Sequence, residues 1–215
     1  MQKNDFMSIK AVIFDWGNVY LNWKDEFWKN LAKKLGIPTL SLERAVQKYW
    51  DLVMKAEIND VELWRRIGEE VKLKLPKESE RWIEERAEKD FFVNKDVELV
   101  ARNLQKHGCK TALLSNTEKS TLKYGNEHGW TKYFDFVVAS CDCGIIKPDL
   151  EIFKMTLEKL DEKPEDCIFI DDKKIFLDVA ESLRMNIILF DNRKQDFDYL
   201  KRKLIKLGVK KEVFA

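Results

Sequence analysis

A carboxylate, a hydroxyl beside an amide, an ammonium and a pair of adjacent carboxylates stand along this 215-residue chain, each at a break in the sequence pattern. Asp15 closes the apolar run Ala11-Val12-Ile13-Phe14 and is followed by Trp16, Gly17 and Asn18. Ser115 and Asn116 close the run Thr111 to Leu114. Lys147 sits in GIIKPD, Gly144 to Asp149, ahead of a helical stretch. Asp171 and Asp172 close the run Cys167 to Ile170. Short runs rich in branched and aromatic side chains, ended by turn-forming residues, read as buried strands. In an open parallel sheet the ligand crevice lies just beyond the carboxyl ends of the strands. Three of the four sites therefore stand where a strand stops, and all four can converge on one sheet edge. A carboxylate placed there can attack an electrophile or hold a metal. Taken singly, Asp15 reads equally well as a turn cap, and Ser115-Asn116 as an ordinary turn. The set points to chemistry more strongly than any member.

The elements that must position these groups follow from hydrophobic spacing. From Val93 onward, strand-like runs alternate with amphipathic helices. Helices are predicted at Asp96 to His107, Lys119 to His128, Leu150 to Leu160, Asp178 to Arg184 and Phe197 to Leu207; further strands are predicted at Phe134 to Ala139 and Asn186 to Phe190. Such alternation implies a parallel sheet covered on both faces. Lys24 to about Phe92 differs: Phe27, Trp28, Leu31 and Leu35, then Leu42, Ala45, Val46, Tyr49 and Trp50, recur at helical spacing. Asn59-Asp60 and Pro76 mark further helix starts, so this segment reads as an all-helical insert of about four helices. Seven tryptophans fall mostly in the insert and first loop, and Trp64 and Trp82 are expected to pack in its core.

The order Asp15, Ser115, Lys147, Asp171-Asp172 resembles the four motifs of the haloacid dehalogenase superfamily, whose members are mostly Mg-dependent phosphatases. The resemblance covers nearly the whole chain. The first motif, FDWGNVY, is similar to a sugar-phosphatase branch that starts Asp-x-Gly-Asn. It implies an α/β fold: a Rossmann-like parallel-sheet core, residues 1–22 and 93–215, with an all-helical cap, residues 23–92, inserted after the first strand. It also implies an Mg2+ cofactor and a small phosphorylated substrate, such as a sugar phosphate.

On that reading Asp15 is the nucleophile and forms an aspartyl-phosphate, as carboxylates do in phospho-enzyme ATPases. Two anions repel, and Mg2+, which favours carboxylates, carbonyls and phosphate oxygens, stands between them. Its expected ligands are Asp15, the backbone carbonyl of Gly17, Asp171 and Asp172, with Asp172 direct and Asp171 holding a metal-bound water or Lys147. Lys147 neutralises charge on the transferred group. Ser115, Asn116 and Asn18 are the expected substrate contacts. The common form of the family carries a second Asp at the position of Gly17, where it protonates the leaving oxygen. General acid–base help is worth about 100- to 10,000-fold, so Gly17 implies slow turnover, a good leaving group or help from elsewhere, with Asp25 or Glu26 as candidates. Two alternatives stay open. A haloacid dehalogenase also lacks the second Asp but needs no metal, which the acidic pair disfavours. A protein that only binds a phosphorylated ligand needs no nucleophile.

Composition narrows the field. Hydrophobic residues make up 45% and aromatics 12%, so the chain is globular. The 39 basic and 38 acidic residues give a net charge of +1, which argues against a general nucleic-acid binder. No apolar run is long enough for a membrane span, and the amino terminus lacks the apolar core of a signal peptide. A cytoplasmic protein is expected. Four cysteines are too few for a disulfide scaffold, and the Cys141-x-Cys143 pair lacks a histidine at supporting spacing. The aromatic-rich insert permits a homodimer without requiring one.

Overall fold

The computed structural model describes residues 9–24 and 26–214. β1 (Ala11–Phe14) is buried along its whole length. It pairs in parallel with β4 (Lys110–Ser115) on one side and β6 (Cys167–Asp171) on the other. β5 (Phe136–Ala139) and β7 (Asn186–Leu189) form the edges, giving a five-stranded parallel sheet in the order β5-β4-β1-β6-β7.

Successive strand residues point to opposite faces, and the side chains sort accordingly. Val12, Phe14, Leu113, Ile168 and Ile170 join one core; Ala11, Ile13, Ala112, Leu114, Cys167 and Phe169 join the other. α5 (Lys95–Lys106) and α10 (Phe197–Lys206) cover the first face through Val97, Val100, Leu104, Leu200 and Leu204. α8 (Leu150–Leu160) and α9 (Lys174–Ser182) cover the second through Ile152, Phe153, Phe176 and Leu177. The expected α/β architecture is therefore present. α9 begins four residues before the Asp178 expected from sequence. Its polar first turn hides the start: Lys174 pairs with Asp178 at 2.5 Å across one turn, so charge that resembles a loop lies on the solvent side of a helix.

The segment after β1 contains four α-helices among the described residues: α1 (Phe27–Leu35), α2 (Thr39–Met54), α3 (Asp60–Glu70) and α4 (Trp82–Asp90). Gly36, in the left-handed conformation at φ 68°, ends α1, and the Asn59 side chain caps α3 by accepting from the Glu62 N–H. These helices share a core of their own built on Leu42, Leu63, Ile67 and Ile83. Trp64 and Trp82 are buried there, edge to face at 4.9 Å, as the sequence led us to expect. Two strands too short to show a period clasp the ends of the segment: β2 (Leu21–Trp23) and β3 (Phe91–Val93) pair antiparallel, with Trp23 opposite Phe91. The segment lies back on the sheet half: α4 meets α6 (Lys119–Glu127), and α2 meets α7 (Ser140–Cys143), a helical turn not anticipated from sequence. No helix among the described residues is long and apolar enough to cross a membrane. The four cysteines are free thiols.

Candidate active site

Strand register brings the chemistry together. Phe14 is level with Leu113 and Ile170, so the next residues, Asp15, Leu114 and Asp171, emerge side by side at the sheet's carboxyl edge. Ser115 follows one step further along β4. Lys147 reaches the same point from the loop before α8, whose first turn is capped by Asp149 accepting from the Glu151 N–H.

The Lys147 ammonium is buried and each of its three protons has an acceptor. It donates to Asp15 Oδ1 at 2.6 Å, to Asp171 Oδ2 at 2.8 Å and to the Leu114 carbonyl at 3.0 Å. The rings of Phe176 and Phe169 lie 5.0 and 5.4 Å from it. Burial opposes its charge, but Asp15 and Asp171 outweigh that and hold it above the usual lysine range. Asn116 fixes the loop: its amide oxygen accepts from the Lys147 N–H at 2.7 Å, and its amide nitrogen donates to the Lys147 carbonyl at 2.9 Å. The Asn116 side chain is thus occupied with the loop that carries Lys147.

Asp15 is 8% exposed, and burial pushes its carboxyl up to about 7; Lys147 pulls it down while Asp171 and Asp172 add to the rise. Asp171 is fully buried, with one oxygen on Lys147 and the other accepting from the Lys173 N–H at 2.8 Å. Asp172 is half-buried, its carboxyl raised by burial, and it accepts from the Asn18 amide at 2.9 Å. Asn18 adopts φ 57°, which an Asn tolerates, and its buried Oδ1 has no hydrogen-bond partner among the described residues. Asp15, Asp171 and Asp172 each bring a carboxylate oxygen within 4.8 Å of the others. Three carboxylates that close suit a hard divalent cation, which relieves their repulsion.

The edge opens into a cavity of about 500 Å³ between the sheet and the helical segment. Asp15, Gly17, Asn18, Ser115, Asn116, Lys147 and Asp172 line its floor; Asp171 lies beneath, out of contact with the space. So every nucleophile, metal-ligand and substrate-contact residue expected from sequence is at one place. Of the acid–base candidates, Asp25 lies outside the described residues. Glu26 is exposed at the start of α1 and does not line the cavity. Among the described residues, the acids that do, besides Asp15 and Asp172, are Asp51 on α2 and Glu118, neither singled out by the sequence. Glu118 is buried and accepts from the Thr121 hydroxyl. Trp23, Trp50, Arg86 and Phe91 also line the cavity and were equally unforeseen. Trp50 and Arg86 sit on helices whose spacing does not mark them for a cavity, Trp23 and Phe91 on strands too short to show a period, and the way the segment folds back aims all four inward.

Gly17 does not owe its glycine to the backbone, since its φ lies outside the left-handed region. Space is tight instead: a β-carbon there would stand 3.2 and 3.4 Å from the benzo edge of Trp23, which would have to give by a few tenths of an ångström, and 4.0 Å from Asp15 Oδ2.

Residues 9–174 match the model of the haloacid dehalogenase-like hydrolases, and the chain belongs to that family of enzymes. Its relatives include bifunctional epoxide hydrolase 2 of Sus scrofa, 28% identical over 203 residues, which cover 85% of this chain and 36% of that protein. The chain therefore spans about a third of that relative's length. Among solved structures, a HAD-like family hydrolase from Porphyromonas gingivalis superposes with a TM-score of 0.75 at 20% identity, over 93% of this chain and 98% of the other. A HAD family enzyme of Bacteroides thetaiotaomicron, in complex with magnesium and inorganic phosphate, superposes with a TM-score of 0.70 at 22% identity, over 89% and 98%.

Proposed function

We propose that the chain is a Mg-dependent phosphomonoester hydrolase acting on a small metabolite through an aspartyl-phosphate on Asp15. The observation that carries this is the buried Lys147 ammonium held between Asp15 and Asp171, with Asp172 completing a carboxylate cluster within 4.8 Å. A nucleophilic carboxylate must stay anionic in a buried place, and an ammonium at 2.6 Å favours that form.

Asp15, Asp172 and the Gly17 carbonyl would hold Mg2+, with Asp171 behind them orienting Lys147. The orphan Asn18 oxygen beside Asp172 adds a neutral acceptor to a donor set made of oxygen, as a hard cation requires. When bound, the ion supplies charge neutralisation between the attacking carboxylate and the phosphoryl group. The chain's own residues do the rest. Asp15 gives an electron pair to phosphorus, Lys147 balances charge on the transferred group, and the Ser115 hydroxyl and Asn116 N–H bind phosphoryl oxygens. The helical segment acts as a cap that shields the phospho-enzyme from stray water and chooses the substrate. The magnesium and phosphate bound by the similarly folded Bacteroides enzyme accord with this reading.

Because position 17 carries no acid, a leaving group that departs without protonation suits the site best, with Asp51 and Glu118 the acids in the cavity lining that could otherwise supply a proton. An anomeric sugar phosphate meets that condition. The same gap favours a second reading, a dehalogenase, but the Asp172 carboxylate in the cluster is surplus to metal-free attack on carbon.

The deciding experiment is a panel of phosphate monoesters with Mg2+ or with EDTA, on wild type and Asp15→Asn. Mg-dependent phosphate release, abolished in Asp15→Asn, is the expected result. Chloride release from 2-chloropropionate in EDTA, with no phosphate released from any ester, would replace this reading with the dehalogenase.

A further inference from the structure

Two features of the cavity meet at one substrate class. The first is what stands where a second carboxylate would. Of the three atoms nearest a β-carbon built at Gly17, two are on the benzo edge of Trp23 and the third is Asp15 Oδ2, so among the described residues a hydrocarbon ring edge, and no second acid, borders that position. The second is the wall that continues from this ring. Trp23 packs on Phe91 with centroids 5.9 Å apart. The Arg86 guanidinium lies 4.8 Å over Phe91 and 5.1 Å over Trp28. Trp28 meets Trp50 edge to face at 6.1 Å. Trp23, Phe91, Arg86 and Trp50 face the cavity, with Trp28 behind them as the link. One continuous stack of rings and guanidinium thus rises from beside the nucleophile into the helical segment.

We propose that the substrate is an aryl phosphate, a phosphate monoester of a flat aromatic alcohol, whose ring lies against the Trp23–Phe91–Trp50 wall. This rests on the phosphatase reading and names its substrate class. A phenol ionises near pH 10, whereas an alkyl alcohol is close to water at about 15.7. In the first step an Asp15 oxygen forms a bond to phosphorus and the phosphorus–oxygen bond to the ring breaks. The electron pair leaves on the phenolate oxygen, and no proton has to move. The phenolate later takes its proton from solvent. Water then attacks phosphorus, the bond to Asp15 breaks with its pair returning to the carboxylate, and the water proton goes to the released phosphate or to solvent. An alkyl ester would have to expel an alkoxide beside a hydrocarbon edge. A sugar 1-phosphate satisfies the leaving-group condition but offers hydroxyls to a wall of rings. Each ring-on-ring contact is worth roughly 2- to 10-fold in affinity.

The test uses the full chain with Mg2+. Steady-state rates are measured on 1-naphthyl phosphate, a series of substituted phenyl phosphates, glucose 1-phosphate and glycerol 3-phosphate. The expected kcat/KM on 1-naphthyl phosphate exceeds that on either non-aromatic ester by about 100-fold or more, following the scale of general-acid help. Across the phenyl series the rate should fall steeply as the phenol becomes a weaker acid. Trp50→Ala should raise KM for 1-naphthyl phosphate by about tenfold, with most of the loss recovered in Trp50→Phe. Equal or better turnover of glucose 1-phosphate or glycerol 3-phosphate would overturn the assignment while leaving the phosphatase reading intact. So would a naphthyl phosphate KM indifferent to Trp50→Ala in a variant that unfolds at the wild-type temperature. Failure of every ester in the panel would instead remove the phosphatase reading, and this one with it.

Discussion

The Asn116 side-chain amide makes two hydrogen bonds to the backbone of Lys147, accepting from its N–H at 2.7 Å and donating to its carbonyl at 2.9 Å. A residue that reads as a phosphate contact in the sequence is also the clamp for the loop that carries the ammonium. Asn116→Ala frees that loop. A displacement of about 1 Å at a reacting group costs about 100-fold, so kcat should fall about 10- to 100-fold with a much smaller change in KM. Asn116→Asp keeps the acceptor for the N–H but turns a second oxygen toward the carbonyl, and should recover less than half of the loss on a logarithmic scale. Steady-state kinetics on the best ester of the panel checks both.

Lys147 also governs stability. Its removal leaves Asp15 and Asp171 buried together without a cation. Breaking a buried ion pair by deleting one partner typically costs about 3–5 kcal/mol. Lys147→Met should lose about that much at pH 8, measured by urea unfolding. The loss should shrink as pH falls, because burial already raises the Asp15 carboxyl and its protonation removes uncompensated charge from the folded state.

Magnesium should stabilise the folded chain. The three carboxylates converge in the native structure and are scattered in the unfolded one, so the ion binds the former selectively. At about 100 times its dissociation constant a ligand adds about 2.7 kcal/mol, which for a chain of this size is a rise of roughly 5–10 °C in the unfolding temperature. Differential scanning fluorimetry should show that rise, its reversal by EDTA, and its loss in Asp172→Asn. A shift of the same size in Asp172→Asn would place the ion elsewhere.

Much of this site was legible in the sequence because period-2 burial and strand ends are local signals. Phe14, Leu114 and Ile170 end three apolar runs, and parallel pairing, with Phe14 level with Leu113 and Ile170, is enough to bring Asp15, Ser115 and Asp171 together. The walls were not legible. Trp50 shares helical spacing with Leu42 and Val46, which are buried core, and nothing in the spacing says that Trp50 looks into a cavity instead. The Trp23–Phe91 contact joins residues 68 positions apart through two three-residue strands, too short to show alternation. The reason for Gly17 was also hidden. Its φ lies outside the left-handed region, and the Trp23 ring that a side chain would crowd arrives from outside the motif.

The seam between helical segment and sheet half holds a pH-sensitive contact. Asp60, at the start of α3, accepts from the Ser120 hydroxyl on α6. Burial pushes its carboxyl up to about 6 against the pull of that bond, and Glu118 and Glu84 add to the rise. An acid with a raised value in the folded state binds its proton more tightly there than in the unfolded chain. Its contribution is fully present below the ordinary carboxylate range and is lost as pH rises through about 6. Asp60→Asn removes the ionisation while keeping an acceptor for Ser120. Relative to wild type, the variant should therefore gain about 1–2 kcal/mol between pH 4 and pH 7.5, a figure reduced for the partial exposure of the group. Urea midpoints at the two pH values measure it; a gain in the opposite direction would mean that Asp60 is held ionised by a cation.

The vacancy at position 17 can be reopened. Gly17→Asp alone places a β-carbon 3.2 Å from Trp23, so the ring must yield, and overpacking of this kind costs about 1–3 kcal/mol. Trapped against hydrocarbon, the new carboxylate should bring little turnover. Trp23→Ala removes the obstacle, and the double variant Gly17→Asp/Trp23→Ala gives the carboxyl room beside Asp15. An acid there can protonate a departing alkoxide, help worth about 100- to 10,000-fold when well placed. The double variant should hydrolyse glycerol 3-phosphate about 10- to 100-fold faster than either single variant. Its rate should fall as pH rises above the carboxyl's titration, because the group must be protonated to act. Aryl phosphates, which need no such proton, should gain much less and should suffer from the loss of the Trp23 ring. If the double variant gains nothing on the alkyl ester, expulsion of the leaving group is not the step that the glycine limits.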